Sequence, residues 1–164
     1  MRRARVLIHL AVLLLLPIAA RANDDPVFDS PAMRVCFVDL LRKVGWGLAG
    51  PFERAAFVIE GDDGSLSCDP WPSTHGYLTE SFHGIVPAHA IAIVHTHPVR
   101  FPMPSQQDQD DATRLRIPNY VVSVLGVYKS VPGGVRGVTV TAQRSWIREV
   151  PLRAAVSGSA TAGR

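Results

Sequence analysis

The 164-residue chain has 17 basic and 14 acidic side chains, which give a formal net charge of +3. Four of the basic residues are arginines within the first 22 positions, and that segment has no acidic residue. Residues 23–164 therefore keep 13 basic against 14 acidic side chains, a formal charge of −1. This near-neutral balance removes the compositional support for a protein that binds nucleic acid or a membrane surface. The part that follows the first 22 residues is long enough for one domain with a single core.

The first 22 residues have the three parts of a signal peptide. Arginines at positions 2, 3 and 5 precede an apolar segment over residues 6–18, and Ala20-Arg21-Ala22 has the pattern of a signal peptidase site. We expect cleavage after Ala22 and a periplasmic or secreted protein with no stable membrane insertion. An uncleaved anchor is the alternative, although the apolar segment is shorter than the ~20 residues of a membrane span. Residues 23–153 are the predicted domain, and residues 154–164 a disordered tail.

The first predicted elements after the leader are a helix and a pair of strands. Ser30-Pro31 is typical of a helix start, apolar residues follow at helical spacing, and Gly45 and Gly47 end the helix. The residues Ala55–Glu60 are predicted to form a short buried strand. The turn Gly61-Asp62-Asp63-Gly64 then leads into a returning strand.

Two cysteines, Cys36 and Cys68, lie in the predicted helix and near the returning strand. In an exported protein they can form a disulfide that joins these two elements. Two buried free thiols are the alternative, because the sequence does not give the distance between them. Their spacing does not match a zinc-finger motif, so neither cysteine is a predicted metal ligand.

The central strand is predicted over residues 88–94, where both faces are apolar. Ile93, His95 and His97 share one face, because side chains alternate along a strand. Further strands are predicted over residues 77–82, 119–125, 136–142 and 146–150. Helices interleaved with strands, followed by a meander of strands, predict a three-layer α/β (α+β) domain.

A second helix is predicted to begin at Ser105. Ser105 occupies the N-cap position, and Asp108 occupies the capping-box position, where Glu or Gln is usual. On a helix, Asp108 shares a face with Ala112, so its carboxylate is expected to point towards the strand that ends in the histidines. Asp111 lies on the same side and is a competing candidate.

His95, His97 and Asp108 are the candidate ligands of a metal ion. Two imidazoles and a carboxylate are a sufficient ligand set for zinc, with the fourth position left to water. Two ordinary histidines near a polar turn are the alternative interpretation. Loop or core positions without a metal are expected for the other histidines that follow the leader, His75, His83 and His89.

The same region resembles the signature of the JAMM (MPN+/JAB1-type) zinc metallopeptidases, which is His-x-His, seven residues and Ser-x-x-Asp. Here it consists of His95-Thr96-His97, residues 98–104 and Ser105-Gln106-Gln107-Asp108. The resemblance implies a JAB1/MPN-like, cytidine-deaminase-like core in which a mixed sheet is flanked by helices. It also implies a catalytic zinc ion bound by His95, His97 and Asp108.

The resemblance implies roles for two further residues. Glu53 corresponds to the glutamate that takes a proton from the attacking water and passes it to the leaving amine. Ser105 corresponds to the residue that helps to stabilise the oxyanion of the tetrahedral intermediate. A solvated loop acid is the alternative interpretation of Glu53, and Glu60 is a second candidate base at the far end of the same strand.

The predicted function is hydrolysis of an amide or isopeptide bond by a zinc-dependent peptidase. Its partner would be a peptide or protein substrate, with a cell-wall peptide as one candidate. The alternatives are a catalytically inactive zinc-binding interaction module, or a secreted effector or cell-wall amidase with the same site. No histidine follows His97, which argues against amidohydrolase-type sites. No glutamate lies between His97 and Asp108, which argues against a cupin.

Overall fold

The computed structural model describes residues 25–50, 52–73 and 79–150 of the chain. The predicted signal peptide and its cleavage site, the predicted tail, His75 and the first two residues of the predicted 77–82 strand lie outside these ranges. None of the helices in the described residues has the length and apolarity needed to cross a membrane.

Eleven short elements follow one another along the described residues. Their bounds are α1 Pro26–Asp29, α2 Pro31–Lys43, a 3₁₀ turn Gly45–Gly47, β1 Ala55–Glu60, β2 Leu66–Pro70, β3 Ala90–Thr96, α3 Gln106–Leu115, β4 Asn119–Ser123, β5 Gly126–Ser130, β6 Val138–Thr141 and α4 Ser145–Arg148. The strands form a sheet in the order β2-β1-β3-β4-β5-β6. Only the β3–β4 pair is parallel among the strand pairs of the described residues, so the sheet is mixed.

Helices cover both faces of this sheet. α2 packs over the face that carries Ala92 and Val94 of β3, together with buried side chains of β1 and β4. α3 contacts β4 and β5, on the face to which Ile93 and His95 contribute. The predicted α/β (α+β) class is confirmed, as is the inner position of the strand that ends in the histidines.

The two cysteines form a disulfide. Cys36 of α2 and Cys68 of β2 have Cα atoms 6.1 Å apart, within the range that a disulfide can bridge. The bond ties the first long helix to an edge strand of the sheet, as one of the two interpretations of the cysteines predicted.

A buried ion pair fixes the beginning of the described chain to the sheet. The Asp25 carboxylate accepts hydrogen bonds from Tyr120 Oη at 2.9 Å and from Lys129 Nζ at 2.7 Å. It also accepts the Phe28 backbone N–H at 3.0 Å, which caps α1. Because Asp25 is only 2 % exposed, these donors compensate the cost of burying its charge.

Of the strand predictions near the C-terminus, the one over residues 146–150 is wrong and the one over residues 119–125 is wrong in part. Residues 145–148 form a helical turn instead of a strand, because the Trp146 ring packs edge-on against Phe28 and Phe37. The predicted 119–125 strand ends at Ser123, and β5, which was not predicted, follows at once. The turn between β4 and β5 consists of Val124 and Leu125, which lack the Asn-Gly type of turn signal.

The predicted strand over residues 77–82 is not formed in its described part, residues 79–82. Phe82 packs instead into an aromatic cluster on the sheet. Its ring lies 4.9 Å from the Phe57 ring and 5.2 Å from the Trp71 ring. The Phe82 ring and the buried carboxylate of Glu80, which pairs with Arg54 at 3.5 Å, therefore attach this segment to the sheet.

Candidate metal centre

The two histidines lie at the end of β3, and their side chains converge. His95 pairs with Ala55 of β1 and with Val121 of β4, and the His97 backbone N–H donates to the Val122 carbonyl at 3.0 Å. Both imidazoles are buried. Their Nε2 atoms are only 3.0 Å apart, so the strand presents two ring nitrogens at one point.

The Nδ1 atoms of both rings point away from this shared point. His97 Nδ1 lies 2.8 Å from the Phe101 carbonyl oxygen, and His95 Nδ1 lies 3.0 Å from Asn119 Oδ1. A carbonyl oxygen only accepts hydrogen bonds, so Nδ1 of His97 carries a proton and its Nε2 offers a lone pair in the neutral ring. This is the usual arrangement of a histidine that binds a metal through Nε2.

The N-terminus of α3 brings a carboxylate to the same point. Asp108 Oδ1 lies 3.1 Å from His95 Nε2, and Asp108 Oδ2 lies 3.6 Å from His97 Nε2. Ser105 forms the predicted capping box with Asp108, and its hydroxyl donates to Asp108 Oδ2 at 2.8 Å. Asp108 and Ala112 are buried, which confirms the predicted inward face of the helix.

Glu53, two residues before β1, brings a second carboxylate to the histidines. Its Oε1 atom lies 3.7 Å from His97 Nε2, and the residue is only 6 % exposed. The interpretation of Glu53 as a solvated loop acid is therefore wrong. Glu60 lies at the opposite end of β1, is exposed and does not line the cavity around the histidines.

Burial and neighbouring charges shift the pKa values of these groups in different directions. Burial raises the pKa of Glu53 to about 7, although the charge on His95 opposes the change. Burial and the nearby His95 lower the pKa of His97 to about 4. Burial alone would lower the pKa of His95, but the Asp108 carboxylate raises it above its ordinary value.

Asp108 has the opposite electrostatic character from Glu53. Burial by itself would raise the pKa of Asp108, but the adjacent His95 and the hydrogen bonds from Ser105 hold it well below its usual range. Asp108 therefore remains a carboxylate across the physiological pH range, whereas Glu53 can gain and lose a proton near neutrality. The two acids of the site are suited to different tasks.

A cavity of about 410 Å³ opens onto these groups. Glu53, His95, His97 and Asp108 line it together with apolar side chains, of which Phe101 and Met103 are 58 % and 46 % exposed. The predicted site residues are thus brought together, with Ser105 at the wall. Asp111 also lines the cavity, but its carboxylate pairs with Arg114 at 2.6 Å. His83 and His89 are exposed and do not contribute.

Four polar residues of the cavity were not predicted from the sequence, namely Thr79, Glu80, Gln107 and Asn119. Asn119, which begins β4, is 3 % exposed and contacts both His95 and the backbone of Asp108. In the sequence, Asn119 is marked only as a polar side chain at the start of a mainly apolar strand.

The donor set fits a metal ion. Ligand atoms of Glu53, His95 and His97 all lie within 4.8 Å of one another, and the three residues are buried. Atoms bound tetrahedrally to zinc at about 2.0–2.1 Å are roughly 3.3 Å apart. The two Nε2 atoms are 3.0 Å apart, and Asp108 places Oδ1 3.1 Å from His95 Nε2 and Oδ2 3.6 Å from His97 Nε2, which are distances close to that value. This buried group can therefore hold a metal ion.

No protein-family model, no curated protein and no solved structure matches the chain.

Proposed function

We propose that this protein is a zinc-dependent peptidase or isopeptidase of JAMM type, with His95, His97 and Asp108 as zinc ligands and Glu53 as general base. The observation that carries the proposal is the convergence of two imidazole Nε2 atoms and two carboxylates at one end of a cavity. Two nitrogens and a carboxylate oxygen are ligands that suit zinc and leave one position open. The JAB1/MPN-like fold implied by the resemblance is part of this proposal.

The assignment of the two carboxylates follows from their contacts. Asp108 lies within 3.1 and 3.6 Å of the two Nε2 atoms, and its pKa is held below the usual range, as a ligand that must stay ionised requires. Glu53 is 3.7 Å from one Nε2 atom, and burial raises its pKa to about 7. A pKa near the working pH favours a group that takes and returns a proton.

Zinc in this site would supply Lewis acidity, polarising the scissile carbonyl and acidifying a water molecule to a pKa near ~7. Glu53 would accept the proton of the water that adds to the carbonyl carbon and deliver it to the amide nitrogen, so that the C–N bond breaks with a neutral amine as the leaving group and a carboxylate as the other product. Ser105 orients Asp108 through two hydrogen bonds to Oδ2. Its role in stabilising the oxyanion stays a prediction from the resemblance.

The cavity supports a peptide or protein as the substrate. It is open at the side of Phe101 and Met103, two large apolar side chains that are half exposed beside the histidines. Apolar surface next to a polar centre is typical of a site that binds a side chain near the scissile bond. A cell-wall peptide is one candidate of this class.

Export from the cytoplasm is a further part of the proposal. The Cys36–Cys68 disulfide supports it, because disulfides persist in oxidising compartments such as the periplasm. The leader-like composition of residues 1–22 supports the same location.

The experiment is hydrolysis of a peptide library, of lysine isopeptides and of cell-wall fragments by zinc-loaded protein, with products identified by mass spectrometry. We expect cleavage that a chelator abolishes and that added zinc restores. Glu53→Gln should lower the rate by about 10²–10⁴-fold while zinc stays bound. Glu60→Gln, which changes an exposed glutamate at the far end of β1, is the matched control and should keep full activity.

Two results would change the assignment. Undiminished activity in Glu53→Gln would remove Glu53 from the role of base. Stoichiometric zinc binding without cleavage of any substrate class would favour the catalytically inactive interaction module instead.

A further inference from the structure

Asn119 links the two elements that carry the proposed ligands. Its Oδ1 lies 3.0 Å from His95 Nδ1 on β3, and its Nδ2 donates to the Asp108 backbone carbonyl on α3 at 3.4 Å. The residue is 3 % exposed and lines the cavity.

The strand register explains why this side chain reaches the site. β4 runs parallel to β3, and Asn119 is paired with Ile93, two residues before His95. Side chains two residues apart lie on the same face of a strand. Asn119, Ile93 and His95 therefore share the face that lines the cavity, and the first residue of β4 lies beside the imidazole.

The two hydrogen bonds of Asn119 depend on each other. The Asp108 carbonyl accepts only, so the amide must direct its NH₂ group towards α3 and its oxygen towards His95. An oxygen at that position requires a proton on Nδ1 of His95. The Nε2 atom of the neutral ring is then left with a lone pair, and this atom lies 3.0 Å from His97 Nε2 and 3.1 Å from Asp108 Oδ1.

We propose that Asn119 is a positioning residue that selects the metal-binding tautomer of His95 and holds Asp108 against it. The inference rests on the proposed zinc site, but not on peptidase activity. Groups that hydrogen-bond to the second nitrogen of a ligating histidine typically change metal affinity by about 10–100-fold when they are removed. The corresponding acceptor for His97 Nδ1–H is the backbone carbonyl of Phe101, which a side-chain substitution does not remove. The acceptor for His95 Nδ1–H is a side chain, so mutation of Asn119 can test its role.

The experiment compares three variants of the purified protein. Asn119→Leu removes both hydrogen bonds at similar volume. Asn119→Asp keeps an acceptor for His95 Nδ1–H and loses the donor to Asp108. Ser123→Ala changes another buried polar residue of the same strand, at its far end, and is the matched control. Far-UV circular dichroism and the intact disulfide verify folding of each variant.

Zinc affinity is measured by competition with a chromophoric chelator. We expect about 10–100-fold weaker zinc binding in Asn119→Leu, a smaller loss in Asn119→Asp, which keeps the bond to His95 but not the bond to Asp108, and wild-type binding in Ser123→Ala. The ¹⁵N spectra of histidine-labelled, zinc-loaded protein should show His95 bound through Nε2 with a slowly exchanging Nδ1–H. That proton should exchange about as slowly in Asn119→Asp, which keeps an acceptor for it, as in the wild type, and faster in Asn119→Leu, which has none.

Three results would overturn the inference. They are wild-type affinity in Asn119→Leu, affinity in Asn119→Asp as weak as in Asn119→Leu, and a His95 ring that carries its proton on Nε2. Absence of zinc binding in the wild type would overturn it together with the proposed function. Zinc binding without peptide cleavage would remove only the peptidase proposal, and the comparison of Asn119 variants would still stand.

Discussion

The Glu53 carboxylate lies 3.7 Å from His97 Nε2, although the two residues belong to different strand regions of the chain. Glu53 precedes β1 and His97 follows β3, and the antiparallel pairing of these strands brings the two positions together. Nearby Glu80 and Asp108 add negative charge, so burial and like charges together disfavour the ionised form of Glu53. Because the pKa of Glu53 is raised, the stability of the folded protein is expected to depend on pH, and this can be measured without any substrate.

The metal-free protein is expected to lose stability as the pH rises through about 7. The pKa of Glu53 is raised from 4.5 to about 7, so the folded state binds this proton more tightly than the unfolded chain. The contribution is fully present below pH 4.5 and is lost above the folded pKa. It amounts to about 3 kcal/mol at most.

Thermal unfolding in the presence of a chelator tests this prediction. Glu53→Gln has no charge to bury at this position. We therefore expect the Tm of Glu53→Gln minus the Tm of the wild type to be larger at pH 8 than at pH 5. The exposed control Glu60→Gln should follow the wild type. An unchanged difference between Glu53→Gln and the wild type at the two pH values would contradict the prediction.

We expect Asp108 to be required for zinc binding and Asp111 to be dispensable. Asp111 shares the helix and the cavity, but it pairs with Arg114. A protein that binds zinc only in the folded state is stabilised by it, by about 2.7 kcal/mol at 100 times the Kd. We expect a zinc-dependent rise in Tm for the wild type and for Asp111→Asn, and none for Asp108→Asn at the same zinc concentration. Equal shifts in the two variants would refute the assignment of Asp108.

The disulfide is expected to contribute about 3–4 kcal/mol to the free energy of unfolding. It closes a loop with a sequence separation of 32 residues, and this magnitude follows from the loss of chain entropy in the unfolded state. The double variant Cys36→Ser/Cys68→Ser should lower the urea midpoint accordingly. A reducing agent should destabilise the wild type but leave the double variant unchanged. A wild type that is insensitive to reduction would show that the bond does not stabilise the fold.

Phe101 is expected to contribute to substrate binding rather than to the chemical step. Its ring is 58 % exposed beside the histidines, and burying it against a substrate side chain would be worth roughly 1.5 kcal/mol. Phe101→Ala should therefore raise KM about tenfold with little change in kcat, on whichever peptide the library screen identifies. Ile85→Ala, which removes a more exposed side chain outside the cavity, should change neither constant. A fall in kcat alone would contradict this role.

Much of the fold was predictable because its elements have strong local signals. Pro31 begins α2, an uninterrupted apolar run forms β1, and Ser105 caps α3 as expected. The hairpin between β4 and β5 was missed because Val124 and Leu125, both apolar, form its turn, and Ser123 supplies the turn hydrogen bonds. A hydroxyl that bonds to nearby backbone does not stand out in sequence.

Much of the candidate site was also predictable, because three of its residues follow one another closely in the sequence. His95, His97 and Asp108 are close in sequence, and strand and helix periodicity directs them towards one another. Asp111 shares that side of the helix, and the resemblance and the first-turn position favoured Asp108 over it. Asn119 was missed because its contacts depend on the register of β4 against β3, which no local pattern specifies. The contact between Glu53 and His97 likewise depends on tertiary structure, because the pairing of β1 with β3 brings the two residues together. The sequence around Glu53 does not show that this residue is buried.

The most direct test of the zinc site is the metal content and coordination of the purified protein. Zinc titration with X-ray absorption spectroscopy measures the stoichiometry and the ligand atoms together. We expect one zinc ion per chain, bound by two imidazole nitrogens and carboxylate oxygen at about 2.0–2.2 Å, and the loss of this signal in His95→Ala/His97→Ala. A wild-type protein that binds no zinc, or a zinc signal that survives in the double variant, would contradict it.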